Sequence, residues 1–189
     1  MTFFNELSNN NNKEWFHANK QRYENDVNQP FTQFVEDLLK KIKYFDKRIA
    51  IGAADAIFRI NRDIRFSRDK TPYKLFRSAL ISSAGRKSKA EPGFYIELGY
   101  NYLKLTGGSF KLSPAAYKSL QQQLTVIEQK INTPVYKSRF KTVQLQPGSI
   151  IFEANHNAEI IFSEQLLEEV TDYWKTVQPV LKTIKKITG

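Results

Sequence analysis

Apolar residues recur with helical spacing in three stretches of the chain. In residues 31–45 they fall three or four positions apart, which is the pattern of an amphipathic α-helix packed against a core. A second run begins after Ser113-Pro114, an N-cap followed by a proline suited to a first turn, and ends near Asn132. A third follows Ser163, which we expect to cap a long final helix that kinks or breaks near Pro179.

The N-terminal region is also predicted to be helical, in this case from its capping residues. Asn12 is a good N-cap, and Glu14 lies in the first turn of the run that follows it. This pattern predicts a helix over about residues 13–27. Pro30 is expected to mark a break before the next helix begins.

Between residues 55 and 108 the pattern changes to short runs with strand character. Phe94 and Ile96 alternate with Tyr95 and Glu97, so one face of that strand should pack against a core and the other should be more polar. Gly107-Gly108 indicates a turn or a close approach of two backbones. The predicted strands cover residues 56–60, 76–82, 94–98 and 102–106.

These elements together predict the fold class. The stretch of residues 133–161 is irregular apart from a short extended segment at 150–153. A central antiparallel sheet with helices at both chain ends packed against it makes an α+β protein. Because 189 residues is the size of one ordinary domain, we expect residues 1–189 to form a single α+β domain.

The composition excludes several kinds of site. The chain has no Cys, which excludes disulfide scaffolds, iron–sulfur clusters and thiol catalysis. Glu153, His156 and Glu159 have a spacing that could supply three metal ligands on a helix, but Gly148 and the neighbouring asparagines favour a loop there. We therefore expect no metal and no cofactor. With no basic leader and no run of the ~20 apolar residues that a membrane span needs, we expect a cytoplasmic protein with no membrane partner.

The positive charge is concentrated in one segment. The formal net charge is +10, and residues 59–89 carry ten basic and two acidic residues, which is +8 of that total. Aromatic residues lie between these cations, as in surfaces that bind phosphate groups and stack on bases. The alternative is a solvated basic face that only keeps the protein soluble.

The densest candidate chemistry lies in residues 58–74. Arg62, Arg65 and Lys70 could contact an anion, while Asp63 and Asp69 could orient these cations or act as acid/base groups. The alternative is an intramolecular network of Arg–Asp pairs that ties the loop to the sheet. The two interpretations are compatible, because such a network also keeps a site rigid.

No nucleophile elbow, Walker loop or dinucleotide fingerprint is present, so three function classes stay open. The first is a protein that binds an anionic, phosphorylated small molecule or nucleic acid in a basic cleft. The second is a hydrolase or transferase that acts on such a ligand, with Asp63 or Asp69 as base. The third is a protein-interaction module in which the basic segment docks on an acidic surface and Leu167, Tyr173 and Trp174 of the last helix pack on a partner.

Two long motifs resemble the family known as domain of unknown function 2461. The first is the run from Leu7 to Phe16 with Asn19-Lys20 and Tyr23, and the second spans residues 58–74. Gly93-Phe94-Tyr95 and Gly107-Gly108 are similar to its later pattern. The resemblance implies an α+β protein and no known reaction. It also implies a positively charged pocket if the residues of the two motifs converge, namely Trp15, Asn19, Lys20 and Tyr23 with Arg62, Asp63, Arg65, Lys70 and Tyr73.

Overall fold

The computed structural model describes residues 2–154 and 158–189, so His156 lies outside the described residues. Within these ranges, one antiparallel sheet has the strand order β1-β2-β3-β5-β4. Its strands are β1 (Phe76–Ile81), β2 (Gly93–Gly99), β3 (Leu103–Ser109), β4 (Phe140–Gln146) and β5 (Ser149–Ala154). No helix in the described part of the chain combines the length and apolar character required to span a bilayer.

Helices precede, follow and interrupt this sheet, which confirms the predicted α+β class. They are α1 (Thr2–Asn9), α2 (Lys13–Ala18), α3 (Lys20–Tyr23), α4 (Gln29–Phe45), α5 (Ala53–Ala56), α6 (Pro114–Gln122), α7 (Leu124–Ile131), α8 (Pro134–Arg139) and α9 (Leu166–Thr188). A π-helical turn (Glu24–Asn28) joins α3 to α4, and 3₁₀ turns occur at Gly85–Lys87 and Ala158–Phe162.

One face of the sheet packs against α4 and α9, and the other stays largely open. Phe94 and Ile96 are fully buried on the helix side, whereas Tyr95 and Glu97 point to the open side, as the alternation predicts. Gly107 and Gly108 lie within β3 rather than in a turn, and the close approach of two backbones expected at this pair is found at Gly108, beside the Ile150 carbonyl of β5. At Gly107, a Cβ atom would lie 2.5 Å from Cγ2 of Val177 in α9, so the missing side chain lets the helix lie directly on β3.

Pro30 does not break the N-terminal helical region, contrary to the prediction. The π-helical turn ends at Asn28, with the Gln29 N–H donating to the Glu24 carbonyl, and Pro30 is the second residue of α4. A first-turn residue needs no N–H donor for the helix ladder, so a proline is tolerated there. The predicted helix over residues 13–27 is instead divided into α2, α3 and this turn.

Two predictions in the middle of the chain were wrong. Residues 56–60 do not form a strand, because α5 continues through Ala56 and only Ile57 makes an isolated bridge, to Ala79. The helix predicted up to Asn132 is interrupted at Gln123, where α6 ends and α7 begins.

The C-terminal third differs from the prediction in three places. The stretch predicted to be irregular contains β4 as well as the expected extended segment, which lies in β5. Ser163 is not the cap of the last helix, because its Oγ accepts from the Gln165 N–H and α9 begins at Leu166. Pro179 does not end α9, whose buried side chains on both sides of it hold the helix against the sheet.

The buried apolar side chains of the described residues form two clusters. The larger one lies between the sheet and α4, α6, α7 and α9, with Trp174 among its fully buried members. The smaller one joins the N-terminal helices to the segment before β1. Its members are Phe3, Phe4, Leu7, Phe16, Tyr23, Val27, Ile60 and Tyr73.

Asp46 links the end of α4 to α9 and makes stability depend on pH. Its carboxylate is 6% exposed and accepts from Nε and Nη2 of Arg48 at 2.9 and 2.6 Å, and from Gln178 Nε2 at 2.9 Å. The Arg48 hydrogen bonds hold the pKa of Asp46 well below its usual range. A depressed folded pKa gives stability that is present above the unfolded pKa of ~3.9 and is lost as the pH falls below it.

We expect Asp46→Asn to lower the free energy of unfolding by about 1–3 kcal/mol at pH 7, because a charged acceptor is lost. The difference from wild type should shrink between about pH 5 and pH 3. Urea unfolding at pH 7, 5 and 3 measures both effects. Asp37→Asn is the control, since the partners of this exposed carboxylate in the described part of the chain, Lys40 and Gln33, lie within α4 itself. An equal pH profile for the two variants would contradict the role given to Asp46.

Candidate functional site

Residues 57–74, here called the arm, form an irregular hairpin beside β1. The Phe58 N–H donates to the Ser78 carbonyl at the base of the arm. Further out, the Lys74 N–H donates to Ile60 O and the Arg62 N–H to Pro72 O, at 2.9 and 2.8 Å. The charged residues of the second motif therefore sit on a structured loop that projects from the edge of the sheet.

The charged side chains at the tip of the arm pair with one another. Arg65 donates from Nε and Nη2 to Asp63 at 2.9 and 2.7 Å, and Asp69 accepts from Arg62 and from the Thr71 N–H. Lys70 Nζ donates to the Ile64 carbonyl at 3.0 Å. The intramolecular network allowed by the sequence is thus formed.

These pairs bear on the two candidate acid/base groups. The Arg65 hydrogen bonds lower the pKa of Asp63 to about 2, and the Arg62 hydrogen bond lowers the pKa of Asp69 to about 2. A carboxylate with such a pKa is a weak proton acceptor near neutral pH. The geometry therefore favours an orienting role for both over that of a general base.

The two sequence motifs meet at Tyr73. Asn11 accepts from the Tyr73 N–H at 3.1 Å and donates to the Tyr73 carbonyl at 2.9 Å. The Tyr73 ring stacks on Phe16 with a centroid distance of 3.9 Å. Both rings are buried, so Tyr73 fixes the arm to the N-terminal helices by packing.

The candidate residues of the N-terminal helices have local partners. Asn19 donates to the Trp15 carbonyl at 2.9 Å and accepts from Arg22 at 3.0 Å. Trp15 packs on Phe3, and Lys20 is exposed. In the part of the chain that the structure describes, no hydrogen bond or ion pair joins Trp15, Asn19 or Lys20 to the arm. The pocket predicted between the two groups stays a prediction.

Tyr23, in contrast, contacts a buried cation that the sequence analysis did not single out. Arg77 in β1 is 5% exposed, and its guanidinium lies 5.9 and 5.7 Å from the ring centroids of Tyr23 and Phe31. Its Nη1 donates to the Phe58 carbonyl at 2.8 Å and its Nη2 to Asn28 Oδ1 at 2.9 Å. Burial raises the pKa of Tyr23 to about 12, so this phenol is neutral beside the cation.

The charge of Arg77 is not neutralised by direct contact with a carboxylate. Among the described residues it makes no ion pair, and its Nε has no hydrogen-bond partner. The nearest acid in its network is Glu24, which accepts from Asn28 at 2.8 Å rather than from Arg77 itself. Burial lowers the pKa of Arg77, because a buried charge without a counter-ion is energetically unfavourable.

Arg77 lines an open cavity of about 660 Å³, here called the Arg77 pocket. Its walls come from α4, α5, the base of the arm and the 3₁₀ turn after β1, and its volume is in the range of small-molecule sites. Among the described residues, Arg59, Arg86 and Lys87 also line it, and Glu36 is the one acid. Lys87 also forms an ion pair with Asp55, which does not line the pocket, with 3.1 Å between Nζ and Oδ1.

A second cavity of about 440 Å³, here called the sheet groove, lies on the open face of the sheet. Lys74 is half-buried there, with Nζ 5.6 and 5.8 Å from the ring centroids of Phe58 and Phe76. Burial and the nearby charges of Arg77 and Arg59 lower the pKa of Lys74. Its Nζ donates to the Arg59 carbonyl, so this cation too has a neutral partner.

The sequence contained signals for both cavities. Arg77 has the same strand phase as the buried Ala79 and Ile81, and a charged residue in a core phase is a candidate for a special role. Lys104 has the same strand phase as Thr106 on the open face, although it lies outside the basic segment of residues 59–89.

Comparison with known proteins adds a family but no activity. A family model with the description "Conserved hypothetical protein (DUF2461)" matches residues 1–148, which include both motifs, both cavities' cations and the arm. No curated protein and no solved structure matches the chain significantly.

Proposed function

The chain belongs to the domain of unknown function 2461 family, whose description names no reaction, and we propose from the site itself that the protein binds a phosphorylated, anionic ligand in the Arg77 pocket. The observation that carries the proposal is the buried Arg77 guanidinium. It lines an open cavity with three further cations and has no carboxylate in direct contact among the described residues.

Electrostatics support an anion at this place. Among the described residues, four cations and one acid line the pocket, and the buried Arg77 guanidinium, which is screened less by water than the exposed cations, attracts a negative charge more strongly. Arg77 is held between two rings and by two hydrogen bonds, so its position is fixed before the ligand arrives. Arginine forks match the oxygen geometry of phosphate groups, and three of the four cations are arginines.

The other two function classes have less support. Neither Asp63 nor Asp69 lines the Arg77 pocket, and a pKa of about 2 suits neither to accept a proton there. Tyr173 and Trp174 of α9 are buried in the larger apolar cluster, and the half-buried Leu167 packs against it. This face of α9, proposed to dock on a partner, thus packs against the protein's own core.

The proposal is tested with pyrophosphate, a compact phosphate probe, by isothermal titration calorimetry and thermal shift. We expect wild type to bind it and the double variant Arg59→Ala/Arg86→Ala to bind at least about tenfold more weakly, since each charge-assisted contact contributes more than about 1 kcal/mol. Arg77→Met should remove binding while keeping much of the side-chain volume. Because Arg77→Met also leaves the Phe58 carbonyl and Asn28 Oδ1 without their donor, circular dichroism and thermal unfolding check that this variant is folded.

Lys118→Ala/Lys137→Ala is the matched control, because it removes two exposed charges on α6 and α8, outside the pocket lining. This control should bind pyrophosphate as wild type does. If Arg77→Met fails to fold, the pyrophosphate affinity of Arg59→Ala/Arg86→Ala still tests the proposal, because both of these residues are exposed. Equal affinity of wild type, the pocket variants and the control would overturn the proposal.

A further inference from the structure

The sheet groove carries a row of aromatic rings across the open face of the sheet. Phe58 meets Tyr95 with centroids 6.2 Å apart, and Tyr95 meets Phe110 with centroids 6.0 Å apart, each pair edge to face. All three rings are half-buried, so part of each remains accessible. Lys74, Lys89 and Lys104 line the same groove.

We propose that the sheet groove binds single-stranded nucleic acid, whose bases stack along the Phe58–Tyr95–Phe110 row while its phosphates contact Lys74, Lys89 and Lys104. This inference names the class of phosphate-bearing ligand that the proposed function leaves open. It rests on the proposed function, because one phosphate of the strand would lie in the Arg77 pocket. Phe58 lines both cavities, so a strand that crosses the base of the arm reaches both.

The chemistry of the groove favours a single strand over other anions. Stacking on an aromatic row requires free base faces, which a duplex hides and a single strand offers. An acidic protein surface would use the cations but would leave the rings without planar partners. Among the described residues, two carboxylates, Glu97 and Glu153, line the groove with the three lysines, which leaves one net positive charge there. The two oxygens of Glu97 accept from Tyr95 and Tyr102, at 2.5 and 2.9 Å.

The arm extends this surface beyond the groove. Phe66 at its tip is 96% exposed, and the Arg65 guanidinium lies 5.9 Å from its ring centroid. Arg68 and Lys70 are exposed beside it. The tip of the arm therefore also places an aromatic ring beside cations, as the groove does. A longer single strand bound in the groove can reach it.

The inference is tested by fluorescence anisotropy of labelled twelve-residue oligothymidylate and oligouridylate in a salt series. We expect both to bind, with log K falling linearly against log salt. Lys89→Ala/Lys104→Ala should reduce the magnitude of that slope by about 1.4, since each lost phosphate contact removes about 0.7 for single strands. Phe110→Leu should weaken binding about tenfold and leave the slope unchanged, because it removes a stacking surface and no charge.

Three further measurements separate the possible failures. Lys118→Ala/Lys137→Ala is the charge-matched control and should keep the wild-type slope. An unlabelled duplex of the same length should compete poorly. Circular dichroism of each variant confirms that it is folded.

Absence of oligonucleotide binding at low salt, with pyrophosphate binding intact, would overturn this inference and leave the proposed function standing. Equal slopes for the groove variant and the control would also overturn it. Loss of both pyrophosphate and oligonucleotide binding from the wild type would overturn both proposals. Preference for one of the two oligonucleotides distinguishes RNA from DNA as the source of the strand.

Discussion

Gly108→Ala is expected to destabilise the protein by more than about 3 kcal/mol, which corresponds to a fall in melting temperature of roughly 10 °C for a chain of this size. Gly108 has φ +144°, a conformation that L residues with a side chain rarely adopt. A Cβ atom there would also lie 2.0 Å from the carbonyl oxygen of Ile150 in β5. Because that neighbour is backbone, β3 and β5 would have to separate where they pair.

Two other glycines separate the causes of this effect. Gly148 also has a positive φ, +90°, but nothing lies within 4 Å of the position that a Cβ atom would take there, so Gly148→Ala should cost only the backbone strain, about 1 kcal/mol. Gly52 has φ −95° and open space, and Gly52→Ala should change stability by less than about 0.5 kcal/mol. Thermal and urea unfolding measure all three. A Gly108→Ala effect no larger than that of Gly148→Ala would contradict the clash.

Tyr73→Ala is expected to lower the free energy of unfolding by about 3 kcal/mol, the range for removal of a buried aromatic side chain. The substitution removes the stack on Phe16 and leaves a cavity in the smaller apolar cluster, which fixes the arm to the N-terminal helices. Urea unfolding measures the loss. Tyr73 was a ligand-binding candidate from the family resemblance, and the packing predicts a structural role instead.

Tyr73→Phe keeps the ring and is the control, with stability expected within about 1 kcal/mol of wild type. Calorimetry with pyrophosphate then separates the two roles. For a structural role, Tyr73→Phe binds as wild type does, and Tyr73→Ala binds normally wherever it is folded. A large loss of affinity in Tyr73→Phe would show that the hydroxyl contacts the ligand.

The elements with a strong periodic pattern were predictable from the sequence. The amphipathic run of residues 31–45 forms α4, and the alternation around Phe94 correctly separates the two faces of β2. The errors occur where a local signal competes with packing. Proline has no backbone N–H to donate and was therefore expected to interrupt a helix. At Pro30 the preceding π-helical turn lets the helical region continue, and at Pro179 the core contacts of α9 outweigh the lost backbone hydrogen bond.

The sequence predicted the segment that holds the candidate site, but not how its side chains are arranged. The charge count located the segment that supplies Arg59, Lys74, Arg86 and Lys87 to the two cavities. The charge count alone could not rank Arg77 above the other cations, because it ignores the strand phase that Arg77 shares with the buried Ala79 and Ile81. Nor could it include Lys104, which reaches the groove only through the pairing of β3 with β2.

The position of the arm beside β1 also determines how much of the sheet edge is exposed. β1 is the first strand in the sheet order, and its Ala79-Leu80-Ile81 run is apolar, so a bare outer edge would offer unpaired backbone groups to another chain. The bridge from Ile57 to Ala79 and the bond from the Phe58 N–H to Ser78 occupy part of that edge. A ligand that pulled the base of the arm away would open a template for intermolecular strand pairing. Ligands that engage the arm at its tip and leave its base in place keep the edge covered.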